Sequence, residues 1–325
     1  MTNLKDIAQA AGVSAITVSR VMNDSGKVKP VTRARINKIM RDTGYTPNMA
    51  AKNLMAKRTG VIDIYIPEML DLSDPFMMHF ILGVSEALSG HLYSFLIKRS
   101  WATEHRCDGY IVTGLLTGEI ADFYAKARAQ DLPAVLFGHT DIAEVDFYDV
   151  DSAAGGELAV RYLLENGHRR IAMINSDERK DYAIDRYSGY VRSLAAAGIK
   201  LNPALVVCAP PSADGGKAAA KELFDRSGGG GFTAIFCATD ALAIGAINAI
   251  NERGLRVPED ISVVGFDGLG RQFLAGTLLT TIAQPVIEMG KALANTLVCR
   301  IRGDTARTAG FMAPTLLLGK SVRKI

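Results

Sequence analysis

The stretch Leu4-Lys5-Asp6-Ile7-Ala8-Gln9-Ala10-Ala11-Gly12-Val13-Ser14-Ala15-Ile16-Thr17-Val18-Ser19-Arg20-Val21-Met22-Asn23 reads as two short helices around one glycine. Leu4, Ile7, Ala8 and Ala11 recur at helical spacing, Thr2 is the expected N-cap, and Gly12 stops the pattern. Ser14 is placed to cap a second helix whose Val18, Val21 and Met22 share a face. Two short helices joined by a glycine turn, the second opening on small and hydroxyl residues, form a helix-turn-helix pattern. A recognition helix enters the major groove by its N-terminal end, so its outward residues must be short there and basic further along. Ala15 and Ile16 suit thymine methyls, and Arg20 suits guanine O6 and N7. After the loop Asn23-Asp24-Ser25-Gly26, a third helix follows Pro30 with Ile36, Ile39 and Met40 inward, and Gly44 ends it.

The charge distribution supports a polyanion as partner. The net charge of the 325 residues is only +3, but residues 1–60 carry eleven basic side chains against three acidic ones, a net +8, and the remainder is −5. A basic head on a mildly acidic body favours nucleic acid over a three-helix bundle serving protein contacts. The length argues for two or three domains, and 48% hydrophobic with 22% charged residues excludes a disordered or fibrous chain. No apolar run reaches the ~18–20 residues of a membrane span. The N-terminus has no apolar signal core, so export is not expected. Cys107, Cys208, Cys237 and Cys299 form no C-x-x-C pair, which indicates neither a zinc knuckle nor a disulfide framework and fits a reducing cytoplasm.

From Val61 onward the periodicity alternates. Strand-like runs at Val61–Ile66, Tyr93–Ile97, Tyr110–Val112, Ala134–Phe137, Phe147–Val150, Ile171–Ile174, Leu205–Val207, Ala234–Cys237 and Ser262–Phe266 are mostly separated by helical runs, including Gly118–Gln130, Ala153–Asn166, Arg186–Ala197, Gly215–Arg226 and Asp240–Arg253. Asp74-Pro75 starts a helix as N-cap and first-turn proline. Alternation of this kind predicts parallel sheets covered on both faces. About 265 residues exceed one such core, so two lobes are expected, with a ligand in the cleft beyond the carboxyl ends of the strands.

Catalytic patterns fail one by one. No carboxylate pair is singled out for acid–base work, and no G-x-S-x-G is present. Gly319-Lys320-Ser321 has Pro314 where a phosphate loop needs its first glycine. The glycine-rich run from Ser227 to Gly231 reads as a surface loop. His79, His91, His105, His139 and His168 show no ligand spacing. His168 is expected to be structural, a cation at a helix end. An enzyme, a metal and a cofactor are therefore not expected.

Four groups of residues resemble the lac/purine-repressor family of bacterial transcription regulators: Leu4–Ala8, Ala11–Ser14, Thr17–Asn23 and Gly44-Tyr45-Thr46-Pro47-Asn48. The resemblance continues through Glu165–Ala172, Arg186-Tyr187-Ser188-Gly189-Tyr190, Leu255–Asp267 and Leu279–Pro285, and so covers most of the chain. It implies a helix-turn-helix DNA-binding domain at 1–47, a hinge at 48–60, and an effector-binding and dimerisation body at 61–325 similar to periplasmic sugar-binding proteins. One lobe would take about 61–152 and 285–316, the other about 153–284 and 317–325.

The resemblance nominates DNA contacts at Ser14, Ala15, Ile16, Thr17, Arg20 and Asn23. It adds a minor-groove wedge at Leu54, in a hinge segment too short to be a stable helix alone. For the effector it nominates Phe76, Asp151, Arg186, Thr239, Asp267 and Gln284. Thr239 departs from the asparagine of many members. A second departure is the connection between Trp101 and Asp108, where six residues stand in place of the family's full helix. Either the helix is deleted or a segment is absent, and the second is favoured because so short a crossover would expose one sheet face.

The expectation is thus a cytoplasmic, dimeric DNA-binding transcription regulator, usually a repressor, acting on a pseudo-palindromic double-stranded operator under a small-molecule effector. A sugar or related metabolite is the expected effector, and no membrane partner is expected. The alternative, a solute-binding receptor of the same body fold, would lack the basic head.

Overall fold

The computed structural model describes residues 3–22, 28–45, 53, 58–101, 105–178, 180–227, 231–270 and 278–325. Asn23 and Leu54, and with Leu54 most of the expected hinge, lie outside the described residues. The chain divides into two compact units, Met1–Gly60 and Val61–Ile325.

The first unit contains α1 (Leu4–Ala10), α2 (Ala15–Met22) and α3 (Pro30–Asp42). The cap of α1 is Asn3, not Thr2. The Asn3 side chain accepts from the Lys5 and Asp6 amides, and the Asp6 carboxylate accepts from the Asn3 amide. This reciprocal box satisfies donors that a helix start leaves open. Gly12, at φ +59°, makes the turn into α2, where Ser14 Oγ accepts from the Thr17 amide at 3.2 Å. Ile7, Ala8, Ala11, Val18, Val21 and Ile36 form the buried core of this unit.

In the second unit, two six-stranded sheets form two lobes. Lobe one is ordered β11-β5-β4-β3-β1-β2, from β1 (Val61–Tyr65), β2 (Ser94–Lys98), β3 (Tyr110–Thr113), β4 (Ala134–Phe137), β5 (Asp146–Val150) and β11 (Ala309–Met312). All its pairings are parallel. Lobe two is ordered β12-β10-β9-β8-β6-β7, from β6 (Ile171–Ser176), β7 (Val206–Ala209), β8 (Ala234–Cys237), β9 (Ser262–Asp267), β10 (Thr280–Ala283) and β12 (Thr315–Leu317). Here the edge strand β12 runs antiparallel to β10, the one departure from the parallel expectation among the described strands. The central strands are buried along nearly their whole length, as sheets covered on both faces require.

The helices of this unit are α4 (Pro75–Gly90), α5 (Thr117–Ala129), α6 (Ser152–Glu165), α7 (Asp181–Ala196), α8 (Ala213–Arg226), α9 (Asp240–Glu252) and α10 (Val286–Ile301). Asp74 caps α4, its carboxylate accepting from the Phe76 amide at 2.8 Å. The chain crosses between lobes after β5, after β10, and between β11 and β12. The last crossing falls earlier than residue 316, because Thr315 already pairs with Ala283 in lobe two.

Three helix pairs touch backbone to backbone through glycines. A Cβ on Gly83 of α4 would strike the Ile287 carbonyl, and one on Gly290 of α10 would strike that of Phe80. The same reciprocity joins Gly156 of α6 to the Arg186 carbonyl and Gly189 of α7 to that of Ala153. Gly216 of α8 meets the Leu242 carbonyl, and Gly245 of α9 meets that of Ala213.

The short connection from β2 to β3 crosses over β1, and its described residues fill part of the face that its length predicts to be bare. Trp101 packs on Tyr65, Tyr110 and Phe123 with ring centroids 6.0, 5.4 and 4.9 Å away, and His105 Nε2 lies 2.6 Å from the buried Asp63 carboxylate. Leu96, on the edge strand of that face, remains 50% exposed.

His168 is structural for a different reason than a helix dipole. It is fully buried between Thr233 Oγ1 (2.9 Å) and the Arg323 carbonyl (3.1 Å), and burial lowers its pKa, so it serves as a neutral ring.

Gly245→Ala is expected to destabilise the body by about 2 kcal/mol, the usual range for an overpacked contact that backbone must absorb. Urea denaturation of the full chain measures it; an unchanged midpoint would show that the α8–α9 crossing relaxes freely.

Candidate effector cleft and DNA-reading face

On α2 of the first unit, Val18 and Val21 point into the core while Ile16 and Arg20 share the outward face. Ile16 is 65% exposed, a large apolar side chain held in water at the start of the helix. Ser14 Oγ lies 2.9 Å from Thr17 Oγ1, which fixes both hydroxyls beside Ala15.

In the second unit a cavity of about 370 Å3 opens where the strand ends of both lobes face each other. Phe76, Arg186, Thr239, Asp267 and Gln284 all line it. Asp151 is not among the lining residues. Its carboxylate caps α6, accepting from the Ala154 amide at 2.8 Å.

Arg186, on α7 and 3% exposed, is the floor of the lobe-two side. Its Nη1 donates to the Ala238 carbonyl at 2.6 Å and lies 3.5 Å from Asp267 Oδ1. The guanidinium sits over the Phe266 ring at 3.6 Å and the Tyr182 ring at 4.6 Å, two aromatic faces that favour a cation. Its Nε finds no acceptor among the described residues.

Asp267 closes β9 at φ +133°, a region that side chains rarely adopt and that persists only where surrounding contacts enforce it. The enforcing contacts are Gln284 Nε2, donating to Oδ1 at 2.7 Å, and the Asp240 amide, donating to Oδ2 at 3.3 Å. Asp240 in turn accepts from Thr281 Oγ1 at 2.5 Å and from the Gly268 amide at 2.9 Å. Burial, then the neighbouring charge of Asp267, raises the Asp240 carboxyl to about 7. Burial raises Asp267 to about 6, with Arg186 pulling it back down. Asp240 is 1% exposed and is the more firmly shifted, since Asp267 keeps 24% of its side chain open.

Thr239 caps α9, its Oγ1 accepting from the Leu242 amide at 3.2 Å, which leaves the hydroxyl its proton and one further lone pair. Tyr182, Asp74, Asp149 and Asp240 also line the cavity and were not nominated from the sequence. Tyr182 was legible in principle, one helical turn before Arg186 on the same face. Asp149 pairs with His139 Nδ1 at 2.7 Å, and this hydrogen bond raises the His139 pKa to about 9. Among the described residues no group of three or more His, Cys, Asp or Glu is arranged to hold a metal, and no helix is long and apolar enough to cross a membrane.

The head and the body each match a known family. Residues 3–48 match the bacterial regulatory proteins of the lacI family, and residues 160–322 match the periplasmic binding protein-like domain. The chain belongs to the lacI family and is a DNA-binding transcription regulator. It is 32% identical over 323 residues to the HTH-type transcriptional regulator YvdE of Bacillus subtilis, covering 99% of both chains. It is 32% identical to the HTH-type transcriptional repressor CytR of Escherichia coli over 93% of this chain and 90% of that one. Among solved structures, a complex of the regulator CelR with cellobiose is similar at a TM-score of 0.74 and 31% identity, over 99% of this chain and 100% of that one.

The Asp240–Asp267 pair sets a pH dependence. Both folded-state values lie above that of an ordinary aspartate, 3.8. The folded chain therefore binds the extra protons, and the pair's contribution to stability is complete below about pH 4 and lost as pH rises through about 6 to 7. Asp240→Asn should flatten the fall in stability between pH 5 and pH 8 in urea denaturation; an unchanged slope would remove Asp240 from this titration.

Proposed function

We propose that the protein acts in the cytoplasm as a dimeric repressor that binds a pseudo-palindromic operator and is controlled by a small-molecule effector, a sugar or related metabolite, in the inter-lobe cleft. Residues 1–47 read DNA, 48–60 form the hinge that inserts Leu54 into the minor groove, and 61–325 bind the effector and dimerise. The observation that carries the reading is the joining, in one chain, of a head of net charge +8 to a body whose cavity is floored by a buried Arg186–Asp267 pair. The cellobiose complex of CelR supports a sugar-sized effector. A receptor role is disfavoured by the basic head, and no catalytic role is assigned.

In this reading Arg20 grips guanine, and Ala15 and Ile16 pack on thymine methyls, with Ser14, Thr17 and Asn23 beside them. Arg20→Ala is expected to cost about 1–3 kcal/mol on the operator and to relax preference at one base pair. An equal loss on all DNA sequences, read by competition gel shift, would reduce Arg20 to a phosphate contact.

Phe76, Arg186, Thr239, Asp267 and Gln284 hold the effector, with Asp151 supporting from its place at the start of α6. Arg186→Ala and Asp267→Ala should each keep operator binding while losing the effector response. Circular dichroism of both variants decides the alternative: if they are unfolded, the pair is structural and the assignment fails.

A further inference from the structure

The two walls of the cleft differ in chemistry, and the difference narrows its ligand. On the lobe-two side the Arg186 guanidinium, the Asp267 carboxylate, the Gln284 amide and the Thr239 hydroxyl line the cavity. Arg186 Nε, buried and without an acceptor among the described residues, calls for a ligand oxygen. A ring of hydroxyls answers such a surface, because each hydroxyl both donates and accepts. The lobe-one side is lined by Met69, Leu70, Phe76, Leu115, Leu116 and Phe137. The carboxylates of that side, Asp71, Asp74 and Asp149, accept hydrogen bonds from their own lobe: from Ser73, from the Phe76 amide and from His139.

This apolar wall is built at a local cost. Leu116 is the N-cap of α5, a position that favours Ser, Thr, Asp or Asn, and leucine has no oxygen to offer the helix start. Its side chain and that of Met69 stay exposed while lining the cavity. The segment that carries Met69 is fixed in place, since Arg99 Nη2 donates to the Glu68 and Leu70 carbonyls, each at 2.6 Å. Gly114, at φ +76°, leaves the space into which Leu70 packs. Large apolar side chains held in water beside a polar floor, against the local preference of the helix start, mark a surface that a ligand covers. A second hydroxyl-rich ring laid on this wall would lose water from its hydroxyls without gaining partners. An aromatic group has nothing polar to lose there. The Phe76 and Phe137 rings, 5.1 Å apart and tilted by 38°, give it faces to pack on.

Resting on the reading of the cleft as the effector site, we infer that the effector is a two-ended glycoside: a sugar ring bonded by Arg186 and Asp267, carrying an aromatic group that lies against Leu70, Leu115 and Leu116. Calorimetry and thermal shift on the full chain test this with glucose, galactose and xylose beside their phenyl β-glycosides. Cellobiose joins the set, since it puts a second polyol ring where phenyl β-glucoside has its phenyl. The expected result is a preference of about tenfold or more for the phenyl glycoside over its parent sugar in one pair, and over cellobiose. Leu116→Ser puts a favoured cap residue at the start of α5, so the variant should still melt cooperatively while that preference drops by about threefold or more. If a parent sugar or cellobiose binds as well as the phenyl glycosides, the inference falls while the effector reading stands. If none of these compounds binds, the inference is likewise overturned. A phenyl preference that Leu116→Ser leaves unchanged overturns the placement of the aromatic group. Binding that survives Asp267→Ala in a folded variant overturns the effector reading itself.

Discussion

A guanidinium taken almost wholly out of water is the constraint around which the cleft is built. A buried charge stripped of a partner costs about 3–5 kcal/mol, so every group around Arg186 is held to its task. The Ala238 carbonyl at the end of β8 and the Asp267 carboxylate at the end of β9 are drawn to one point on α7. Phe266 supplies the face beneath the guanidinium, and the same ring presses on Gly155 of α6, where a Cβ would come within 2.6 Å of it. The helix that begins at the first crossing between lobes is therefore shaped by the ring that supports the charge. Asp267 pays for its place with an unfavourable backbone angle, and Gln284 and the Asp240 amide keep it there.

The glycine-paired helices make each lobe a stiff block. Backbones this close leave no side chains at the crossing to change rotamer, so α4 with α10, α6 with α7, and α8 with α9 move as pairs or not at all. The three crossings between the lobes lie next to Asp151, Gln284 and the Ala313-Pro314 step. Gln284 both lines the cavity and stands at a crossing, where its Nε2 donates to Asp267 Oδ1.

The helix-turn-helix was legible because apolar spacing, a glycine stop and a capping hydroxyl all lie within twenty residues of one another. The two-lobed body was legible because strands buried on both faces read as apolar runs. The last crossing was displaced because Thr315 looks no different from its neighbours until it pairs with Ala283. Asp151 was nominated by position, but the start of α6 claims its carboxylate. His168 carries no local sign that a threonine sixty-five residues away and a carbonyl near the C-terminus close around it. The carboxylates that line the cleft were hidden for a similar reason: they come from separate loops and helix starts, each unremarkable alone.

Trp101 is the sole tryptophan of the chain, and it stands at the start of the short connection behind the sheet of lobe one. Its indole rests on Tyr65, Tyr110 and Phe123, with the ammonium groups of Lys98 and Lys126 at 5.2 and 5.8 Å from the ring. Tryptophan emission from this protein is consequently the signal of one address. It reports the reverse face of a single lobe, on the side of the sheet away from α4 and α10, with no second indole elsewhere to average it.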